Sequence, residues 1–132
     1  MNSLNILIVE DHLLMIEAYK SILSYHADSN AFNFIDAVNC EAAFQIIADD
    51  RIDKILIDIV ILDLNLPKYT AACIEGGADL IFYIKKYLPN CKIVVVTSHS
   101  ETIKIYDILK LYEPAGFLIK SEFTGDDFLL AF

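Results

Sequence analysis

Acidic, hydroxyl and basic side chains stand where four short apolar runs of this sequence end. Glu10 and Asp11 follow the first run, Asp63 follows the second, Thr97 the third, and Lys120 ends the fourth. If these runs are parallel strands, their carboxyl ends meet at one edge of a sheet, where ligands of open α/β sheets bind. The sequence therefore predicts that three carboxylates, a hydroxyl and an ammonium group share one crevice.

These residue types suit phosphoryl transfer that depends on a divalent cation. Three neighbouring carboxylates favour a bound cation, and a hard ion such as Mg²⁺ is held by few carboxylates and several waters. Asp63 could attack a phosphoryl donor as a nucleophile. The ammonium group of Lys120 would offset charge on the transferred group, and the hydroxyl of Thr97 would donate a hydrogen bond to it.

Each of these residues also has an ordinary structural explanation. Glu10 and Asp11 suit the positive end of a helix dipole, and Asp63 could serve the turn before Pro67. Thr97 could be a helix N-cap. All of these explanations would have to hold at four strand ends at once. Because such a coincidence is rare, the pattern favours a functional site. Asp58 is a rival nucleophile, but strand alternation puts it on the opposite face from Asp63.

Alternating apolar runs and segments of helical period predict a doubly wound α/β fold with a parallel sheet. Five strands are expected, and they are Asn5–Val9, Phe32–Val38, Lys54–Leu62, Lys92–Val96 and Phe117–Lys120. The expected helices are His12–Ser24, Cys40–Ala48, Ala78–Leu88 and Glu101–Tyr112, with a last one, Asp126–Phe132, cut short. Residues 1–132 are thus interpreted as one domain, the N-terminal fragment of a longer protein.

Composition narrows the class of protein. The chain has 132 residues, 56% of them hydrophobic, with 10 basic and 19 acidic residues and a net charge of −9. Such a charge repels nucleic-acid phosphates, so we expect no DNA or RNA binding by this domain itself. The apolar runs are too short for a membrane span, and the N-terminus lacks a signal-peptide pattern. A cytoplasmic protein with reduced cysteines is expected.

The chain resembles the receiver domains of two-component response regulators. The resemblance is carried by four segments, Ile-Leu-Ile-Val-Glu-Asp-His (6–12), Ile-Leu-Asp-Leu-Asn-Leu-Pro (61–67), Ile-Val-Val-Val-Thr-Ser (93–98) and Gly-Phe-Leu-Ile-Lys-Ser (116–121). It implies a five-stranded, flavodoxin-like parallel sheet of order 2-1-3-4-5. Two stretches, from Asp11 to Asp63 and from Asp63 to Thr97, are longer than is usual in the family, and the second excess falls in residues 68–77.

The resemblance also implies roles for individual residues. Asp63 matches the phosphoacceptor, and Glu10 and Asp11 match the acidic pair that holds Mg²⁺, with Glu in place of the commoner Asp. The remaining matches are Asn65, whose backbone carbonyl would bind the metal, Thr97 as the switch hydroxyl, Lys120 as the family's lysine, and Phe117 as the aromatic switch residue. The peptide bond after Lys120 is expected to be cis.

The function implied is a phosphorylation-controlled switch without turnover of a separate substrate. A sensor histidine kinase would be the partner. The output would be homodimerisation or an effector domain absent from this chain, and DNA would be bound only through that effector domain. The alternatives are an unphosphorylated receiver-like interaction module, a flavin- or nucleotide-binding flavodoxin relative and a metal-dependent phosphatase. Glu10 and Asp11 would repel a phosphate at the position where a flavodoxin relative needs to bind one.

Overall fold

The protein folds as a parallel five-stranded sheet with helices on both faces. The computed structural model describes residues 4–26, 32–48, 57–64, 77–97, 110 and 116–119. The strands are β1 (Leu4–Val9), β2 (Phe32–Ala37), β3 (Ile59–Asp63), β4 (Lys92–Thr97) and β5 (Gly116–Ile119). They lie in the order β2-β1-β3-β4-β5, and every neighbouring pair is parallel. This confirms the doubly wound sheet and its strand order.

Three helices are described, and all three were expected. They are α1 (Leu13–His26), α2 (Cys40–Ile47) and α3 (Gly77–Tyr87). Asn39 is the N-cap of α2, because its Oδ1 accepts a hydrogen bond from the backbone N–H of Ala42 at 2.7 Å. The helix expected over 101–112, apart from Lys110, and the shortened last helix over 126–132 lie outside the described residues.

The central strand is shorter at its start than its apolar sequence predicts. β3 begins at Ile59, so Asp58 precedes the strand instead of interrupting it. The backbone N–H of Asp58 donates to the carbonyl of Asn5, and its own carbonyl accepts from the N–H of Lys92. At the other end β3 includes Asp63 and β4 includes Thr97, each one residue beyond the expected limit.

The sheet separates two apolar layers, which explains why β1, β3 and β4 are almost continuously hydrophobic. One layer packs α1 on the sheet through Ile16, Tyr19 and Leu23. The other packs α2 and α3 on the opposite face, with Ile47, Leu80 and further buried side chains. Among the described residues, no helix is both long and apolar enough to cross a bilayer.

Candidate functional site

The register of the sheet brings Glu10 and Asp63 to neighbouring positions. Val9 pairs with Leu62 across β1 and β3, so the residues that follow them lie side by side at the carboxyl edge. Glu10 is fixed there by its backbone N–H, which donates to the carbonyl of Ala37 at 3.0 Å. Sequence reasoning placed both carboxylates at this edge, and the structure brings them together.

Strand alternation directs both side chains toward α1. Glu10 lies two positions after Ile8 and Asp63 two positions after Ile61, so each shares a face of the sheet with that isoleucine. Both isoleucines belong to the apolar layer under α1. The two acidic residues are each only 1% exposed. Burial disfavours a charged carboxylate unless a cation or hydrogen-bond donors compensate it.

Thr97 ends the neighbouring strand at the same edge. Asp63 pairs with Val96, so Thr97 lies one residue further along β4. It is completely buried. Thr97 therefore ends β4 at the same edge at which Asp63 ends β3.

Four side chains form a group that could hold a metal ion. Glu10, Asp11, His12 and Asp63 each offer one ligand atom, and these atoms lie within 4.8 Å of one another. Glu10 and Asp63 are buried, whereas Asp11 and His12 are exposed. The three carboxylates match the demand of Mg²⁺ for oxygen ligands, and the exposure of Asp11 leaves room for the waters that this ion retains. The donor set therefore fits the expected cation.

His12 was not assigned a role from the sequence, although it directly follows the acidic pair. Its Nδ1 lies 3.1 Å from Oε2 of Glu10 and 3.0 Å from Oδ1 of Asp11. Its backbone N–H also donates to Oε2 of Glu10 at 3.3 Å. The carbonyl of His12 accepts from the N–H groups of Met15 and Ile16, which fixes this residue at the start of α1.

Tyr19 is a second contributor that sequence reasoning missed. Its hydroxyl donates a hydrogen bond to Oε1 of Glu10 at 3.2 Å, and the side chain is buried between α1 and the sheet. Burial, and then the negative charge of Glu10, raise the pKa of Tyr19 far above its ordinary value. Tyr19 therefore remains a hydrogen-bond donor. No motif in the sequence marks Tyr19, and only packing reveals its polar contact.

Asp58 is remote from this edge. It precedes β3, at the amino end of the strand, whereas Asp63 ends it. The Oδ2 atom of Asp58 accepts a hydrogen bond from the backbone N–H of Asn5 at 2.8 Å. Its structural task is thus to hold the beginning of β1 against the beginning of β3.

Some of the residues expected at the site lie outside the described part of the chain. They are Asn65 and Lys120 with its following peptide bond, and most of the 68–77 stretch also lies outside the described residues. For Phe117 the backbone belongs to β5, and nothing is described of its side chain. β5 ends at Ile119, which pairs with Thr97.

Comparison with known proteins agrees with this architecture. A family model described as the response regulator receiver domain matches residues 6–126. The transcriptional regulatory protein DegU of Brevibacillus brevis is 27% identical over 127 residues, which cover 90% of this chain and 44% of that protein. The chain thus spans less than half the length of this relative.

Solved structures share the fold. A response regulator receiver domain protein from Clostridium thermocellum has a TM-score of 0.75 at 22% identity, covering 97% of this chain and 90% of that one. The phosphorylated cyanobacterial phytochrome response regulator RcpA has a TM-score of 0.76 at 19% identity, covering 98% and 89%. RcsB, solved as dimers bound to DNA, has a TM-score of 0.77 at 22% identity, covering 98% and 58%. With its sheet order, its acidic edge and the family match over residues 6–126, the chain belongs to the response regulator receiver domain family.

Proposed function

We propose that this chain is a phosphoacceptor domain of a two-component signalling system and that Asp63 accepts the phosphoryl group from a sensor histidine kinase. The observation that carries the proposal is the buried Asp63 carboxylate beside Glu10 and Asp11 at the carboxyl edge of the sheet. In the transfer, an oxygen of Asp63 forms a bond to phosphorus while the phosphorus–nitrogen bond of phosphohistidine breaks. The electron pair of that bond stays with the imidazole of the kinase.

The acidic edge is proposed to be the magnesium site. Glu10, Asp11 and Asp63 would hold Mg²⁺, together with the backbone carbonyl of Asn65. When bound, the cation supplies positive charge that offsets the charge of the phosphoryl oxygens. Asp63 has the nucleophilic role, and the hydrogen bonds from Tyr19 and His12 keep the carboxylate of Glu10 oriented beside it.

Lys120, Thr97 and Phe117 are proposed to transmit the change. Phosphorylation adds about −1.5 to −2 charges, which would attract the ammonium group of Lys120 and the hydroxyl of Thr97. Movement toward the phosphoryl group would then bias the surface around β5 between two states, with the Phe117 ring as the switch. The burial of Thr97 at the strand next to Asp63 supports its part in this relay.

Residues 1–132 are proposed to act as one domain whose output is homodimerisation or control of a further domain. DegU is a transcriptional regulator and RcsB binds DNA as dimers, which supports a transcriptional output. DNA would be bound only through such an output domain, because the net charge of this chain is −9. No turnover of a separate substrate is proposed, and the cytoplasmic location stays a prediction.

The test is phosphorylation by acetyl phosphate followed by intact mass spectrometry, with and without Mg²⁺. We expect one base-labile phosphoryl group on the wild type and on Asp58→Asn, and none on Asp63→Asn. Asp58→Asn is the matched control, since it removes the same charge at the opposite end of β3. A wild-type chain that binds no Mg²⁺ and gains no phosphoryl group would overturn the proposal in favour of an unphosphorylated interaction module.

A further inference from the structure

The acidic edge contains a nitrogen donor that an ordinary magnesium site does not need. His12 brings Nδ1 to 3.0 Å from Oδ1 of Asp11 and 3.1 Å from Oε2 of Glu10. A nitrogen of the His12 ring also lies within 4.8 Å of a carboxylate oxygen of Asp63. It is therefore inside the group of atoms proposed to surround the cation.

These separations match the spacing of ligands around one octahedral ion. With bonds of about 2.1 Å, adjacent ligand atoms lie about 3.0 Å apart and opposite ones about 4.2 Å apart. The two distances from Nδ1 of His12 match the adjacent spacing, and no separation in the group exceeds the opposite spacing by more than about 0.6 Å. Small side-chain rotations would therefore bring all four atoms onto one ion.

The backbone holds His12 in place for this task. Its N–H donates to Oε2 of Glu10, and its carbonyl receives the first N–H groups of α1. The imidazole itself is 64% exposed, so it can turn without disturbing the core. With a cation bound, a neutral ring that carries its proton on Nε2 would direct the lone pair of Nδ1 to the ion, in place of the hydrogen bond that Nδ1 makes to the carboxylates.

We propose that His12 is a protein ligand of the cation through Nδ1, which makes the site prefer first-row transition ions such as Mn²⁺ and Ni²⁺ over Mg²⁺. Imidazole nitrogen suits these ions, whereas Mg²⁺ prefers oxygen alone. The inference rests on the proposed metal site at Glu10, Asp11 and Asp63. It goes beyond it by giving the site a mixed nitrogen and oxygen donor set.

Pulsed electron paramagnetic resonance of the Mn²⁺-loaded chain tests the ligand directly. We expect coupling to an imidazole ¹⁴N in the wild type and its loss in His12→Ala and His12→Asn. His12→Asn retains a polar side chain without an imidazole nitrogen, so it separates ligation from hydrogen bonding to Asp11. Retention of the ¹⁴N coupling in both variants would overturn the proposal.

Two other histidines provide controls. His26 is the last residue of α1, about 20 Å along the helix from its start, and His26→Asn should keep the coupling. His99 follows Thr97 by two positions. If the ¹⁴N coupling were lost in His99→Asn but kept in His12→Ala, the ligand would be His99 and the proposal would be wrong.

Calorimetric titration with Ni²⁺ and with Mg²⁺ tests the selectivity. We expect His12→Ala to weaken Ni²⁺ binding by about tenfold or more and to change Mg²⁺ binding by less than about threefold. Equal effects on both ions would contradict a ligand role. These titrations do not involve phosphoryl transfer, so binding that needs Asp11 but not His12 would refute this inference and leave the proposed function standing. Nitrogen ligation by His12 without phosphorylation of Asp63 would support this inference and refute the proposed function.

Discussion

The hydrogen bond from Tyr19 to Glu10 should be measurable as folding stability. Tyr19→Phe removes only the hydroxyl, so the ring still fills the layer under α1 and no large cavity forms. A hydrogen bond to a charged group contributes about 1.5–3 kcal/mol. The oxygen–oxygen distance of 3.2 Å is long for such a bond. We therefore expect the free energy of unfolding to fall by about 1.5–2 kcal/mol.

Urea unfolding followed by circular dichroism at pH 7, with a chelator present, measures this change. Tyr25→Phe is the matched control on the same helix, since Tyr25 is 84% exposed, and we expect it to change stability by less than about 0.5 kcal/mol. The melting temperature of Tyr19→Phe should be about 3–8 °C below that of the wild type.

A double-mutant cycle decides whether Glu10 is the partner that matters. In a Glu10→Gln background the hydroxyl no longer meets a charge, so Tyr19→Phe should cost less than half of its cost in the wild type. The same cost in both backgrounds would refute the reasoning. So would a Tyr19→Phe chain as stable as Tyr25→Phe.

Three further predictions concern residues away from the acidic edge. Asp58→Ala removes the acceptor of the Asn5 N–H and should lower the free energy of unfolding by about 1–3 kcal/mol in urea, with phosphorylation by acetyl phosphate unchanged. Asn39→Ala removes the N-cap of α2 and should cost about 0.5–2 kcal/mol in the same assay, whereas a cost near zero would mean that the cap does not stabilise the helix. Burial raises the pKa of Cys91 to about 12 and of Cys40 to about 11, above the ordinary thiol value. The two buried thiols therefore contribute fully to stability below about pH 8.5, and this contribution is lost as the pH rises toward their pKa values. Between pH 8.5 and 10.5, the free energy of unfolding should thus fall less for Cys91→Ala than for the wild type.

The sheet and its functional edge could be predicted because the relevant signals are local in the sequence. Apolar runs that are buried on both faces mark parallel strands, and a polar residue directly after such a run must lie at the carboxyl edge. This logic found Glu10, Asp11, Asp63 and Thr97 without any knowledge of packing. The strand order came from the resemblance to receiver domains, and the structure confirms it.

The limits of β3 show where local signals end. The apolar sequence before Asp58 favours a longer strand, but pairing decides where a strand starts. Asp58 faces the beginning of β1, where its side chain and backbone both bind Asn5, 53 positions away. No periodicity within a single segment encodes a contact between such distant residues.

The sequence by itself determined which residue types reach the acidic edge, because alternation along a strand and the polarity at its end are properties of a short segment. Tertiary structure alone decided what surrounds them. Tyr19 meets Glu10 only because α1 packs its buried face over β1, and the ring of His12 reaches two carboxylates only because the turn into α1 folds back on Glu10. Such contacts depend on how a helix is placed against the sheet, and this placement results from the packing of the whole core.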